Sequence, residues 1–121
     1  MPTSRCNSTG YRLGLACALL VVTLLSLSPA APQPFPFDHG DKLAHLLTFG
    51  VLAFLADAGW PEKGLFWYKL LPLSLYGAAI EIGQYFVPNR FFSLLDILAD
   101  VAGVVLYFVL FLPLLRRLAL R

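Results

Sequence analysis

The sequence predicts an all-α membrane protein, a small bundle of four transmembrane helices with both termini cytoplasmic. Three observations carry this. The chain is 59% hydrophobic and only 13% charged, with a mean hydropathy of +0.75, whereas a soluble domain averages about 45–50% apolar and about 25% charged. Four apolar runs are separated by short segments rich in proline, glycine and charge. The basic residues gather in both tails and in the middle connection.

The first run, "LGLACALLVVTLLSLS" at 13–28, follows Arg5 and Arg12 and ends at or just before Pro29. It reads as a retained anchor, although a basic start, an apolar middle and the small residues of "SPAA" also fit a cleavable signal peptide. Pro32, Pro34 and Pro36 then favour extended backbone, so the segment to Gly40 is expected to be a loop. The second run, 43–60, would rise about 27 Å as a helix, close to the thickness of the hydrocarbon core. "GWPEKG" makes a polar turn, and a third run covers 66–87 with Pro72 near its start, where a helix tolerates proline best. "PNR" breaks it. The fourth run, taken over 94–115, is apolar except for Asp96 and Asp100 and is followed by Arg116, Arg117 and Arg121. The chain thus divides into a tail (1–12), a membrane domain (13–115) and a basic tail (116–121).

The same features exclude several functions. Spans of about 20 residues each leave a chain of 121 residues no room for a separate soluble catalytic domain. A formal net charge of +2, without a basic stripe interleaved with aromatics, gives no sign of nucleic-acid binding. Cys6 and Cys17 form neither a C-x-x-C pair nor a disulfide framework. "GLAC" before Cys17 lacks the aliphatic residue expected upstream of a lipidation site.

Orientation follows from the cations. Arg5 and Arg12, Arg116, Arg117 and Arg121, and Lys63 with Lys69 fall on one side, while the other two connections hold only Lys42 and Arg90. The positive-inside rule then places the Pro-rich and "PNRFFS" loops outside. On that frame Lys42 and His45 lie in the first turn of helix two, with Asp41 at its entrance. Glu81 and Asp100 each lie about 9 Å below the outer ends of helices three and four, and Gln84, Arg90, Ser93 and Asp96 are shallower. Asp57 alone lies near the cytoplasmic side. Within each helix the spacing is three or four residues: Asp41 and His45, Glu81 and Gln84, then Ser93, Asp96 and Asp100. Each set therefore shares a helical face. Ionisable residues in a span are costly unless they face the bundle interior or a watery cavity, so these faces are expected to meet in an outward-open polar pocket roofed by the two loops.

These residues resemble the VanZ-like family of small bacterial membrane proteins, named for an accessory factor in teicoplanin resistance. The resemblance covers about 41–103. Asp41, Lys42 and His45 match an Asp-Lys-x-x-His entrance, Glu81 and Gln84 a Glu-x-x-Gln, and Arg90, Ser93, Asp96 and Gly103 the Arg and Ser before Asp-x-x-x-Asn-x-x-Gly. Asp100 stands where the family pattern has Asn. The resemblance implies a multi-pass, envelope-related protein of the bacterial cytoplasmic membrane, and no particular reaction.

Each candidate has a sharp and a bland reading. His45 is a proton donor or acceptor with Asp41 one turn away fixing its tautomer, or an interfacial histidine bonding across helices. Glu81 with Asp96 and Asp100 supplies paired carboxylates for acid/base work, or holds helices three and four together through Arg90 and Gln84. Arg90 grips phosphate or carboxylate, or anchors in head-groups. A metal on His45, Asp41, Glu81 and Asp96 is chemically allowed, but the chain shows no dense ligand motif, so no metal and no cofactor is assigned. Phe35, Phe37, Phe91 and Phe92 fit one interfacial aromatic belt, and Trp60, Trp67 and Tyr68 the other. Gly50, Gly77 and Gly103 read as sites of close helix contact.

The leading expectation is a protein that binds or modulates an envelope lipid or lipid-linked precursor, with Lys42, Arg90, Asp41, Gln84, Ser93, Asp96 and Asp100 as ligand contacts. An intramembrane hydrolase or transferase using His45 and Glu81 is the second, with Ser93 the only obvious nucleophile, and a purely structural subunit the third. A transporter fits less well, since the runs show no inverted repeat. The sequence is compatible with a homo-oligomer.

Overall fold

A computed structural model describes residues 5–29, 40–88 and 92–118. Four helices form, and no strand occurs among the described residues. The first, α1, spans Arg5–Ser26, and the second, α2, spans Gly40–Gly59. The third, α3, runs continuously over 66–85 and the fourth, α4, over Leu94–Arg117. Three of them, at Ser8–Ser26, Gly40–Gly59 and Leu94–Arg117, are long and apolar enough to cross a membrane.

The boundaries differ from the apolar runs where polar residues have structural work. Helix α1 starts eight residues before its run, and Arg12 in the added part donates from Nε to the Gly59 carbonyl oxygen at 2.7 Å. Helix α2 starts at Gly40, so Asp41 stands in its first turn, where a carboxylate suits the positive end of the helix dipole. Ser93 caps α4 from extended backbone (φ −145°, ψ 122°), its hydroxyl accepting from the Asp96 amide at 3.4 Å.

Two prolines lie inside helices, and each is preceded by a π-turn. Residues Phe66–Leu70 come before Pro72, and the Leu71 amide donates to the Phe66 carbonyl, five residues back. Residues Tyr107–Phe111 come before Pro113, and the Leu112 amide donates to Tyr107 in the same way. A proline lacks the N–H for the usual bond and its ring crowds the carbonyl four residues back; widening the preceding turn by one residue relieves both without ending the helix. Pro72 therefore sits within a helix that has already begun.

The helices alternate in direction. Arg12 on α1 meets the far end of α2, while the Gln84 side-chain amide of α3 donates to the Ser26 carbonyl at the other end of α1, at 2.9 Å. Helix α2 is the centre of the bundle: 39% of its apolar window is buried, against 28% for α4 and 6% for α1. The core gathers Phe49, Leu52 and Ala53 of α2, Leu73 of α3, and Val104 and Tyr107 of α4. Helix α1 is tied to α3 by the Tyr76 hydroxyl, which lies 2.6 Å from Thr23 Oγ1 and donates to the Leu19 carbonyl at 3.0 Å.

Between α2 and α4 the approach is closest at Gly103. A Cβ there would collide with the Leu46 carbonyl oxygen and stand 3.1 Å from the Gly50 amide nitrogen. Small residues permit such approaches, and within a bilayer, packing of this kind is a main source of helix association. The crossing brings Leu46, and with it His45, beside the part of α4 that carries Asp100.

At the Gly59 end of the bundle, the cation Lys69 is buried to 3% exposure, and its Nζ donates to Asp57 Oδ1 at 2.7 Å. The Tyr107 hydroxyl donates to Asp57 Oδ2 at 3.0 Å. Lys69 is thus half of an internal ion pair and not a free charge of the polar turn. Trp67 and Tyr68 are exposed, as an aromatic belt requires, whereas Trp60 packs under Arg12 with 4.9 Å from guanidinium carbon to ring centre. Phe92 is exposed at the other end; Phe35, Phe37 and Phe91 lie outside the described residues.

Candidate functional site

At the Gly40 end, three helices bring their charged residues together. From α2 come Asp41, Lys42 and His45, from the last turns of α3 comes Glu81, and from α4 come Ser93, Asp96 and Asp100. Glu81 and Asp100 are 0% exposed and Asp96 only 5%. Lys42 and Asp41 close the mouth, their side chains 26% and 42% exposed.

Asp100 fixes His45. Its Oδ1 accepts from His45 Nδ1 at 2.7 Å, which turns Nε2 toward the other two acids, 3.6 Å from Asp96 Oδ2 and 3.8 Å from Glu81 Oε1. The carboxylate that sets the tautomer is therefore Asp100, fifty-five residues away, and not Asp41, which sits one turn away on the same helix. Asp41 instead holds Lys42, whose Nζ lies 2.7 Å from Asp41 Oδ2 and 2.8 Å from Asp96 Oδ1, the latter an ion pair off the hydrogen-bonding direction. Gly77 of α3 makes room for this arrangement, since a Cβ there would lie 2.6 Å from Asp100 Oδ2.

Glu81 is held on one side only. The Ser93 amide donates to Oε2 at 3.0 Å, while Oε1, facing His45, has no hydrogen-bond partner. One atom each from His45, Glu81 and Asp96 falls within 4.8 Å of the others. A buried anion oxygen without a donor is costly, and Asp96 Oδ1 and Asp100 Oδ2 share that condition with Glu81 Oε1.

The VanZ/LLP1 family model matches residues 19–116. The chain belongs to the VanZ/LLP1 family. The match takes in α2, α3, nearly all of α4 and every residue of the cluster, so the polar end of this VanZ/LLP1 bundle lies wholly within the family region. No curated protein and no solved structure is matched by the chain.

Of the sequence-derived candidates, Asp41, Lys42, His45, Glu81, Asp96 and Asp100 come together. Ser93 joins them through its backbone, and its hydroxyl serves as the α4 cap. Gln84 is buried one turn from Glu81 and directs its amide nitrogen to the end of α1. Arg90 lies outside the described residues, as does the Pro-rich segment expected to roof the site. Among the described residues, the acids are buried against His45 and Lys42. Two grooves among the described residues are apolar and contain none of these residues: one of about 360 Å³ between α2 and α4, lined by Leu47, Val51 and Leu106 among others, and one of about 440 Å³ beside Leu15, Trp60 and Tyr76.

Sequence reading passed over the Asp57, Lys69 and Tyr107 group. Its signal was present: two opposite charges at similar depth on consecutive helices, flanking a short turn. Linear spacing places Lys69 with that turn and does not show that it is buried within a π-turn.

Proposed function

We propose that this VanZ-like protein crosses the bacterial cytoplasmic membrane four times with both termini inside, and that its charged end faces outward. There it binds or modulates an envelope lipid or a lipid-linked cell-wall precursor, a role that would link it to glycopeptide resistance of the teicoplanin type. The carrying observation is the convergence of Lys42, His45, Glu81, Asp96 and Asp100 from three helices at one end of the bundle. Family membership supports the reading. Lys42 at the mouth and Arg90, which lies between α3 and α4 in the chain, are the anion contacts, with Asp41 and Ser93 as further contacts.

The test is binding of an anionic envelope lipid in nanodiscs by purified wild type and by Arg90→Ala. At least tenfold weaker binding by the variant is expected. Equal affinity for every anionic lipid would sink the proposal.

The facing of His45 Nε2 and Glu81 Oε1 at 3.8 Å favours a second reading, an intramembrane hydrolase or transferase with these two as acid and base. It requires that lipid or precursor profiles of cells respond to the wild type and stay unchanged with an equally abundant His45→Ala, Glu81→Gln variant.

A further inference from the structure

We propose that His45 Nε2, Glu81 Oε1 and Asp96 Oδ2 form a binding site for a divalent transition-metal ion, with Asp100 as the carboxylate that orients the histidine. The site stands on its own geometry and does not depend on lipid binding.

The distances carry it. His45 Nε2 lies 3.6 Å from Asp96 Oδ2 and 3.8 Å from Glu81 Oε1. Both separations are too long for hydrogen bonds. Ligand atoms on a tetrahedral ion with bonds of about 2.0–2.2 Å stand about 3.3–3.6 Å apart, so both distances from Nε2 lie at or within a few tenths of an ångström of that range, and one atom from each of the three residues lies within 4.8 Å of the others. The three atoms lie on three different helices, which is why no ligand spacing shows in the chain.

A second, independent observation is the unpartnered oxygen. Glu81 is 0% exposed, its Oε1 has no hydrogen-bond partner, and it points at this same space. A cation there would satisfy it. The His45 ring is also placed as a metal ligand: in the neutral tautomer whose Nδ1 donates to Asp100, the lone pair of Nε2 faces the acids. A carboxylate behind a ligating imidazole is the usual second partner of such a histidine.

The charges agree. Lys42 is shared between Asp41 and Asp96, so among the described residues three buried carboxylates, Glu81, Asp96 and Asp100, face one imidazole and one shared ammonium. A divalent ion offsets two of those charges. One nitrogen and two oxygen donors suit zinc, manganese or ferrous iron, and the imidazole argues against calcium or magnesium. Lys42, 2.8 Å from Asp96 Oδ1, leaves Oδ2 available to the ion.

The test uses the full, tag-free chain in detergent micelles, stripped with a chelator and titrated with zinc alone by calorimetry. One ion per chain is expected. Affinity should fall at least tenfold in Glu81→Gln and in Asp96→Asn, and about 10–100-fold in Asp100→Asn through loss of histidine orientation. Glu62→Gln, a surface change at the opposite end, should bind as the wild type does. Far-UV circular dichroism checks that each variant keeps its helices. Should the variants lose their fold, X-ray absorption of the cobalt-loaded wild type decides alone: imidazole and carboxylate oxygen together at the ion support the site. Absence of stoichiometric binding, undiminished affinity in folded Glu81→Gln and Asp96→Asn, or a cobalt spectrum without imidazole would each overturn it.

Discussion

The two ends of this bundle bury charge in opposite ways. At the Gly59 end, one cation and one anion meet, and both Asp57 oxygens have donors, Lys69 on Oδ1 and the Tyr107 hydroxyl on Oδ2. At the Gly40 end, Asp41, Glu81, Asp96 and Asp100 share one lysine and one histidine, and Glu81 Oε1 has no donor at all. The first is a closed lock that joins α2, α3 and α4. Among the described residues, the second carries more carboxylates than cationic partners. Packing alone gives no reason for that surplus, because apolar residues of similar size would fill the space at lower cost. A ligand gives one.

Breaking the lock should have the largest effect. Asp57→Ala leaves Lys69 charged in the interior and is expected to destabilise the protein by about 3–5 kcal/mol, measured by unfolding in mixed micelles. The Asp57→Leu, Lys69→Met double variant should recover most of that loss, and a double variant as unstable as Asp57→Ala would show that Lys69 is not the reason for the cost.

Gly103→Ala tests the contact that aligns the charged end. Its methyl group meets the Leu46 carbonyl oxygen, so α2 and α4 must move apart at a cost of about 1–3 kcal/mol. The shift should also weaken ligand binding, because it pulls His45 away from Asp100. Wild-type stability together with wild-type binding would mean that the helices do not approach as closely as described.

Glu81→Gln sharpens the comparison most. Removing one of several competing negative charges should change stability by less than about 1 kcal/mol, or raise it, while binding at the site is lost. Equal losses of stability and binding would make the charged end a second lock. The smallest effect belongs to the exposed pair of Arg12 and Glu62, 3.9 Å apart with side chains 43% and 59% exposed. Glu62→Ala should shift stability by less than about 0.5 kcal/mol.

The fold was largely legible. Long apolar runs between breakers gave the helices, and three- and four-residue spacing put Asp96 with Asp100, and Glu81 with Gln84, on single faces. Depth along each helix placed His45, Glu81 and Asp100 in one layer, and the structure brings these three together. Spacing was less informative about partners. Gln84 shares a face with Glu81, yet its amide nitrogen donates to the end of α1. Asp41 stands a turn from His45, yet it pairs with Lys42. Lys69 reads as a residue of the polar turn and is one of the most deeply buried cations described.

The sequence by itself determined that this is an all-helical membrane protein of the VanZ/LLP1 family and that ionisable residues of three helices share one layer, with Asp57 apart from it. Composition, period and motif are properties of the chain and survive without a fold. Only the tertiary structure decided that Asp100 holds His45, that Glu81 keeps an oxygen without a donor, and that π-turns before Pro72 and Pro113 accompany the inward aim of Lys69 and Tyr107. Period fixes where a side chain points around its own helix axis. Which neighbour it meets depends on how far helices rotate and how closely they cross, and in this bundle that was set by glycine contacts between residues far apart in the chain.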